Sequence, residues 1–239
     1  MGSLNSTAVD VSESLESGPE IIVTENIHND YINAEYNIKL KRKPIYEIIK
    51  RVFDIIASTI ALIILSPVFL ITMIAIIIDD PGNPFFTQER VGKDGRKFKI
   101  YKFRSMYKNA EEKKKEILAL NESDGPLFKI SSDPRITKVG RFIRKTSIDE
   151  LPQLINILKN DMSVIGPRPF IVSEQEQFPD FRLIVKPGLS CYWQIGGKNQ
   201  LTAEDQLELD RKYINERSIK VDIKIIFLTI AQVLHFNNL

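Results

Sequence analysis

The longest apolar run of the chain covers residues 52–78, and its only charged residue is Asp54, near the start. By length this run is a candidate for a transmembrane helix. Ser66-Pro67 divides it near the middle, and proline removes a backbone hydrogen bond and disfavours helix in the residue before it. Each half then has about 12 to 14 residues, or about 18–21 Å of helix. Each half is therefore shorter than the hydrocarbon core of a bilayer, which is about 30 Å thick.

Three arrangements of this run are compatible with the pattern. A kinked helix crosses the bilayer, a helix–break–helix enters one leaflet and returns to the same side, or the run is a buried core helix. In the second arrangement, Ser66 is available to satisfy a backbone group that is freed at the break. A basic collar precedes the run and predicts that the residues before it are cytoplasmic. The collar consists of Lys39, Lys41, Arg42, Lys43, Lys50 and Arg51.

Two strands are predicted after the apolar run, over residues 85–90 and 97–103. The link between them is Gly92-Lys93-Asp94-Gly95, and its Asp-Gly pair is a strong hairpin signal. The second strand alternates cationic and aromatic side chains, with Lys102 and Arg104 at its end. This segment therefore predicts a β-hairpin with a basic edge.

Beyond the hairpin the pattern is mostly helical. A charged helix is predicted over residues 108–120, and a loop over 121–133. An acidic helix is predicted over 202–213, and an amphipathic helix over 221–234 either packs on the body or lies in the interface plane of a membrane. The whole pattern predicts an irregular α/β fold, dominated by helices with a small β-hairpin or sheet.

The net charge of +2 conceals an asymmetry along the chain. Residues 1–38 contain no lysine or arginine, are rich in Ser, Asn and Glu, and lack a helical period, so they are predicted to be a disordered acidic tail. They show no apolar core flanked by basic residues, so no signal peptide is expected. The remaining body is basic, which implies nucleic acid, anionic lipid or a phosphorylated substrate as partner. No groove-reading motif is present, and nucleic acid is not expected.

Cysteine and histidine exclude several kinds of site. The single cysteine, Cys191, excludes an internal disulfide and fits a reducing compartment, where a buried inert thiol is expected. The two histidines, His28 and His235, lie near opposite ends of the sequence and build neither a metal site nor a histidine-based triad.

Two adjacent carboxylates, Asp149 and Glu150, occur where a helix should begin. Ser147 with Glu150 three residues later fits a capping box, and the apolar residues from 151 onward have helical spacing. Pro152 fits only within the first turn, so the cap is Ser147 or Asp149. In either case both acids lie at the positive end of a helix dipole. An ordinary capped helix ending near Asn160 and a pair that acts on phosphates are both compatible with this spacing.

Cations flank this acidic pair on both sides. Downstream, a short strand leads to the stiff loop Gly166-Pro167-Arg168-Pro169, which suits holding a guanidinium toward an anion. Further on, Gly196-Gly197-Lys198 is a weak phosphate-binding pattern. Upstream, a helix opening near residue 134 is strongly cationic, with three of its cations on one face. Its cations are Arg135, Lys138, Arg141, Arg144 and Lys145.

Taken together, these segments resemble the bacterial sugar transferase family, the monotopic polyprenyl-phosphate phosphoglycosyl transferases, from about Lys50 to the C-terminus. Tyr213, Ser218 and Asp222 match near the end. The other matching motifs occur in this order: Lys50-Arg51-x-Phe53-Asp54 with Ser66-Pro67; Gln88-x-Arg90-Val91-Gly92; Lys102-Phe103-Arg104-Ser105-Met106; Asp133-Pro134-Arg135-Ile136-Thr137; Gly140-Arg141; Ser147-x-Asp149-Glu150-Leu151-Pro152-Gln153-Leu154; Gly166-Pro167-Arg168-Pro169; and Lys186-Pro187-Gly188-Leu189.

The resemblance implies transfer of a sugar 1-phosphate from a UDP-sugar to a polyprenyl phosphate, usually undecaprenyl phosphate. It implies that Asp149 is the nucleophile, that a phosphosugar-aspartyl intermediate forms, and that UMP is released. Glu150 would assist as a base or by positioning, and Mg²⁺ would bridge Asp149 and the diphosphate. The helix dipole and nearby arginines are expected to keep Asp149 ionised at neutral pH. The expected clamp residues on the phosphates are Lys102, Arg104, Arg141, Arg168 and Lys198.

The resemblance also favours the re-entrant arrangement, with interfacial amphipathic helices and the active site at the cytoplasmic face of the bacterial cell membrane. The expected division is a tail over 1–38, a basic juxtamembrane segment over 39–51, a re-entrant helix over 52–78 and a catalytic domain over 79–239. The expected partners are a UDP-sugar, undecaprenyl phosphate and membrane lipid, and a homo-oligomer is compatible with the sequence.

The region Tyr192-Trp193-Gln194 looks more like the hexose-phosphate transferases of the family, which implies galactose or glucose as the sugar and a role in starting capsule or exopolysaccharide synthesis. Two positions depart from the family pattern: Ser190-Cys191 replaces Thr-Gly, and Lys198 replaces an arginine, which loses a bidentate contact. The competing hypothesis is a membrane-anchored protein that binds anionic lipid without catalysis, for which Asp149→Asn leaves function intact.

Overall fold

The computed structural model describes residues 36–38, 42–110, 112, 130, 133–196 and 201–234. The predicted acidic tail lies outside the described residues except for 36–38, as do most of the predicted helix over 108–120, most of the loop over 121–133, and Lys198. The helices are α1 (Pro44–Ile64), α2 (Ser66–Asp79), α3 (Lys138–Lys145), α4 (Gln153–Leu158), α5 (Val172–Gln175), α6 (Tyr192–Ile195), α7 (Ala203–Glu216) and α8 (Ile219–Leu234). The strands are β1 (Phe85–Val91), β2 (Lys97–Phe103), β3 (Ser163–Ile165) and β4 (Gly188–Ser190).

Helices dominate the described residues, as the sequence predicts, and strands β1 and β2 form the predicted antiparallel hairpin. Phe85 pairs with Phe103 at one end and Val91 with Lys97 at the other. Asp94 and Gly95 both have positive φ, 56° and 72°, and so form the type I′ turn that an Asp-Gly pair favours. The sequence prediction of this hairpin is confirmed, with β1 one residue longer than expected.

The long apolar run is broken where the sequence predicts. Helices α1 and α2 meet at Leu65 with a bend of 60°. The Ser66 hydroxyl donates to the carbonyl oxygen of Ile63 (2.8 Å), and Pro67 lies in the first turn of α2, where its missing N–H is tolerated. No single helix among the described residues is long and apolar enough to cross a membrane, whereas this bent pair passes that test by length and composition when its two helices are taken together.

Helix α1 begins at Pro44, so part of the predicted basic segment is helical and docks on the body. The Arg51 guanidinium donates to the carbonyl oxygens of Ile157 and Leu158, at the last turn of α4. The carboxylate of Asp54 accepts from the Ser163 hydroxyl (3.1 Å) and from the backbone N–H of Val164 (2.9 Å). The one charge inside the apolar run therefore joins α1 to strand β3.

Strands β3 and β4 form a short parallel pair next to the largest hydrophobic core cluster. Gly166 and Gly188 face each other's backbone there so closely that a Cβ at either position would overlap main-chain atoms. Cys191 follows β4 and is fully buried, which confirms the predicted burial, and burial raises the pKa of its thiol. The buried residues of this cluster are Ile38, Ile165, Phe181, Val185, Cys191, Tyr213, Ile214 and Ile225.

The last two helices extend beyond their predicted bounds. Helix α7 starts after Thr202, which makes a reciprocal capping box with Asp205, and it ends one turn later than predicted. Helix α8 buries Ile225 against the body and exposes Ile223 and Phe227. Its exposed side is therefore apolar as well, and α8 both packs on the body and presents an apolar face.

Candidate functional site

Asp149 and Glu150 lie on a 3₁₀ turn, Ile148–Glu150, ahead of helix α4 rather than in its first turn. Ser147 has a positive φ of 56° and makes no side-chain cap, and α4 begins after Pro152 without a side-chain cap. The predicted capping box is therefore wrong, as is a cap by Asp149. The physical reason is the Glu150 side chain, which points to cations instead of reaching back to the backbone of Ser147.

Two cations hold Glu150. Its Oε1 accepts from the Lys102 ammonium at 2.9 Å and from Nη1 of Arg168 at 3.2 Å. Burial and the nearby Arg168 lower the pKa of Lys102, and the charge of Glu150 opposes this shift. The structure thus brings together four of the predicted site residues: the two carboxylates, Lys102 and Arg168.

Asp149 is different from its neighbour. Asp149 is only 9% exposed, and its carboxylate makes no hydrogen bond or ion pair with the rest of the described chain. Burial, with a further contribution from Glu150, raises its pKa to about 6, against the opposing charges of Lys102, Arg144 and Arg168. With this pKa Asp149 is mostly ionised at pH 7, as expected. The nearby cations do not lower its pKa below the ordinary value, however, because burial outweighs them.

The position of Lys102 beside Glu150 depends on Asn156, a buried residue of α4. The Asn156 side-chain oxygen accepts from the N–H of Tyr101 (2.9 Å), and its side-chain nitrogen donates to the carbonyl of Lys99 (2.7 Å). The amide thus completes the hydrogen bonding of strand β2 and fixes the hairpin against α4, the helix that follows the Asp149–Glu150 pair, called the dyad below. Nothing in the local sequence around Asn156 signals this contact.

The side chain of Arg168 lies between Glu150 and the ring of Trp193. The Arg168 guanidinium carbon lies 5.5 Å from the centre of the Trp193 ring, within range of a cation–π contact. Arg90 donates to the carbonyl of Pro169 (3.3 Å), and burial and Arg168 lower its pKa to about 10. Arg90 was not among the predicted clamp residues, although the motif around Gln88 contains it.

The remaining predicted clamp residues are placed elsewhere. Arg104 donates to the carboxylate of Asp80 (2.7 Å) and to its backbone carbonyl, not to the dyad. Arg141 is exposed on α3, and its side chain makes no hydrogen bond or ion pair with any described residue. The cation of α3 whose charge acts on Asp149 is Arg144. Lys198 lies outside the described residues.

A preassembled metal centre is absent from the described part of the chain, in which no three His, Cys, Asp or Glu residues come together. The dyad nevertheless suits Mg²⁺, which is commonly bound by one or two carboxylates together with substrate phosphates. Glu150 is engaged by two cations and Asp149 is not, so of the two carboxylates Asp149 is the one left to bind a cation.

Comparisons with known proteins show which family this sequence is similar to. The family model described as "Bacterial sugar transferase" matches residues 45–236. The galactosyl transferase CpsE of Streptococcus agalactiae serotype III is 50% identical over 193 residues, which are 78% of this chain and 42% of that protein. The undecaprenyl-phosphate galactose phosphotransferase of Salmonella typhimurium is 43% identical over 196 residues, 78% of this chain and 40% of that protein. The exopolysaccharide production protein ExoY of Rhizobium meliloti is 38% identical over 198 residues, 80% of this chain and 88% of that protein. The chain thus spans about two fifths of the first two relatives.

Proposed function

Because the chain belongs to the bacterial sugar transferase family, we propose that it transfers a sugar 1-phosphate from a UDP-sugar to undecaprenyl phosphate and releases UMP. The observation that carries the proposal is that the two adjacent acids lie in different environments: Asp149 is buried and unengaged, whereas Glu150 is held by Lys102 and Arg168. Two neighbouring carboxylates in different environments are typical of a site in which each has its own role.

In the first step, an oxygen of Asp149 attacks the phosphorus that carries the sugar. A carboxylate–phosphorus bond forms, and the bond from that phosphorus to the bridging oxygen breaks. UMP leaves with the electron pair of that bond and with the bridging oxygen. The raised pKa of Asp149 supports this role, because a more basic carboxylate is a better nucleophile and is still mostly ionised at pH 7.

In the second step, an oxygen of the undecaprenyl phosphate dianion attacks the same phosphorus. The bond to Asp149 breaks, and the carboxylate is regenerated for the next cycle. No proton has to be removed from the dianion, so we assign Glu150 to positioning rather than to base catalysis. Its contacts to Lys102 and Arg168 support this, because they hold two cations beside the phosphorus where charge develops.

A Mg²⁺ ion, held by Asp149 and the diphosphate oxygens, would supply charge neutralisation on the diphosphate when bound. The protein supplies cations of its own to the site: Lys102 and Arg168 are within ion-pair distance of Glu150, and Arg90 lies behind the Arg168 loop. Lys102 and Arg168 are the proposed clamp on the transferred group, and Arg90 supports the loop that carries Arg168.

We further propose that the sugar is a hexose, galactose or glucose, that α1 and α2 form a re-entrant pair at the cytoplasmic face of the cell membrane, and that the product starts a capsule or exopolysaccharide. The names of the relatives support galactose and exopolysaccharide synthesis. The 60° bend and the exposed apolar residues of both helices support the membrane placement.

The test is UMP release by detergent-purified protein from a panel of UDP-sugars, with undecaprenyl phosphate and Mg²⁺. We expect release with one hexose donor and transfer of the sugar phosphate to the lipid. No release with any donor, from protein that is folded and monodisperse, would contradict the proposed function and would favour an anchored binding protein.

The pH dependence of the reaction follows from Asp149. Its protonated form is not a nucleophile, and its pKa is about 6, so we expect kcat/KM to fall about tenfold for each pH unit below that value. An aspartate with an ordinary pKa would place this acid limb of the kcat/KM profile about two pH units lower. The measurement is kcat/KM for UMP release between about pH 4.5 and 8, with the fold checked at each pH. A flat profile down to about pH 5 would contradict the assignment of the limb to Asp149.

The re-entrant arrangement predicts an effect of removing the break. Helices α1 and α2 joined without a bend are longer than the bilayer core is thick, so Ser66→Ala with Pro67→Ala should let the pair cross. With the folded body kept in the cytoplasm, crossing moves residue 45 to the outer side in spite of the basic collar, so a cysteine at exposed Ile45 should react with a membrane-impermeant maleimide in intact cells only in the double variant. Thr59→Ala, at an exposed position of α1, is the control and should leave labelling unchanged. Protection of residue 45 in the double variant, with activity kept, would contradict the role of the break.

A further inference from the structure

The Gly166-Pro167-Arg168-Pro169 loop is held by groups outside it. Its two prolines have no N–H, so the loop lacks two of the donors with which a turn stabilises itself. Four consecutive carbonyls instead accept from other parts of the chain: Pro167 from the N–H of Gly188 (2.9 Å), Arg168 from Nη2 of Arg182 (2.8 Å), Pro169 from Nη1 of Arg90 (3.3 Å), and Phe170 from the N–H of Val91 (2.9 Å). Only two of these donors are side chains.

Arg182 is the more deeply buried of the two, with 4% of its residue exposed. Its Nε donates to Oδ2 of Asp210 at 2.7 Å, and Asp210 is fully buried. Its guanidinium carbon lies 3.7 Å from the centre of the Phe170 ring and 5.9 Å from that of Phe178. The guanidinium is therefore fixed by an ion pair and two aromatic rings, and one of its nitrogens holds the backbone of Arg168.

We propose that Arg182, oriented by Asp210, is a positioning residue for the transfer reaction: it fixes the carbonyl of Arg168, and through it the Arg168 guanidinium on Glu150. The inference rests on the proposed function, since it gives Arg182 a share in the clamp on the transferred phosphate. Arg182 itself touches neither the dyad nor, in this role, the substrate. Its contribution passes entirely through Arg168.

This placement explains why an arginine is needed at position 182. Nε engages Asp210 while Nη2 reaches the Arg168 carbonyl, so the planar fork makes two contacts in fixed directions. A lysine has one nitrogen and cannot make both contacts in the same directions. A purely structural ion pair between Arg182 and Asp210 would predict lower stability on substitution, but no dependence on the side chain at position 168.

The test is a double-mutant cycle between positions 182 and 168. Arg182→Gln should reduce kcat/KM for UMP release about 10²-fold, because small misplacements of a clamp have effects of that size. In the Arg168→Ala background, the same change should have an effect of less than about threefold, since the clamp is already lost. If the fold-losses in kcat/KM of Arg182→Gln and Arg168→Ala simply multiplied in the double variant, the inference would be overturned.

The matched control is Arg135→Gln, which breaks another buried arginine–aspartate pair, with Asp133 at 2.7 Å. Its effect on kcat/KM should multiply with that of Arg168→Ala. If Arg182→Gln does not fold, Arg182→Met with Asp210→Leu removes both buried charges and repeats the cycle, because an apolar pair often replaces a buried ion pair without loss of stability.

A second readout separates this inference from the proposed function. If the wild-type protein releases no UMP, the proposed function fails, and the cycle is repeated on the dissociation constant for UDP with Mg²⁺. Arg168→Ala and Arg182→Gln should each weaken UDP binding, and the double variant should bind no more weakly than Arg168→Ala alone. Additive losses, or no loss with Arg182→Gln, would overturn the positioning role in that assay as well.

Discussion

Replacement of Asp149 by asparagine is expected to reduce UMP release by about 10³-fold or more, because the amide cannot form the covalent bond to phosphorus. The shape of the side chain is retained, so the loss reports chemistry rather than packing. The assay is single-turnover UMP release in detergent with the preferred UDP-sugar. Asp94→Asn in the hairpin turn is a matched control, because Asp94 is exposed and asparagine also tolerates its positive φ. A variant that keeps more than about a tenth of the wild-type rate would contradict the assignment of Asp149 as nucleophile.

The same substitution should not destabilise the fold. A carboxylate whose folded-state pKa is raised contributes stability at pH values below its unfolded pKa, and this contribution is lost as pH rises through the folded pKa of about 6. At pH 7 the ionised Asp149 therefore opposes folding, and the neutral asparagine should leave Tm unchanged or higher. Thermal unfolding at pH 7 separates the two outcomes: a large drop in Tm would mean that lost activity reflects a damaged fold.

Features that depend on a few neighbouring residues could be predicted from the sequence. The Asp94-Gly95 turn needs only residues that accept positive φ, the helix break needs only Ser66-Pro67, and Asn160 takes the left-handed conformation expected at the end of the dyad helix, with φ of 72°. In each case the local chemistry leaves few alternatives.

The predictions that failed depended on distant partners. Local spacing favoured a capping box of Ser147 with Glu150, but Lys102, 48 residues earlier, draws Glu150 away from the backbone. The contacts of Asp54 were missed rather than wrongly predicted, because its partners at Ser163 and Val164 are more than a hundred residues away. Propensity and periodicity carry no information about such contacts, which form only when the elements pack.

A second group of long-range contacts converges on helix α4, Gln153–Leu158. Arg51 of α1 donates to the carbonyls at the C-terminal end of α4. The side chain of Asn156, a residue of α4, completes the hydrogen bonding of strand β2. The dyad directly precedes α4, so its position is fixed relative to both the bent helix pair and the hairpin. If α1 and α2 lie in one leaflet, the proposed nucleophile is thereby held at a defined height beside the membrane surface, where a lipid phosphate is available.

Substitution of Lys102 by methionine is expected to lower kcat/KM by about 10²-fold to 10³-fold, the usual effect of removing one preorganised charge from a site of this kind. The loss has two causes that a pH profile can separate. The clamp loses a cation, which lowers the maximal rate, and Asp149 loses the cation that most opposes its raised pKa, so the acid limb should move above pH 6.

Lys99→Met is the matched control for Lys102, since Lys99 lies on the same strand with an exposed side chain, and Asn156 binds only its backbone carbonyl. It should leave both the rate and the acid limb unchanged. If Lys102→Met lowered the rate while the limb stayed in place, Lys102 would act on the substrate without tuning Asp149. If it altered neither, Lys102 would be a structural counter-ion of Glu150, and Arg168 would remain as the proposed clamp residue.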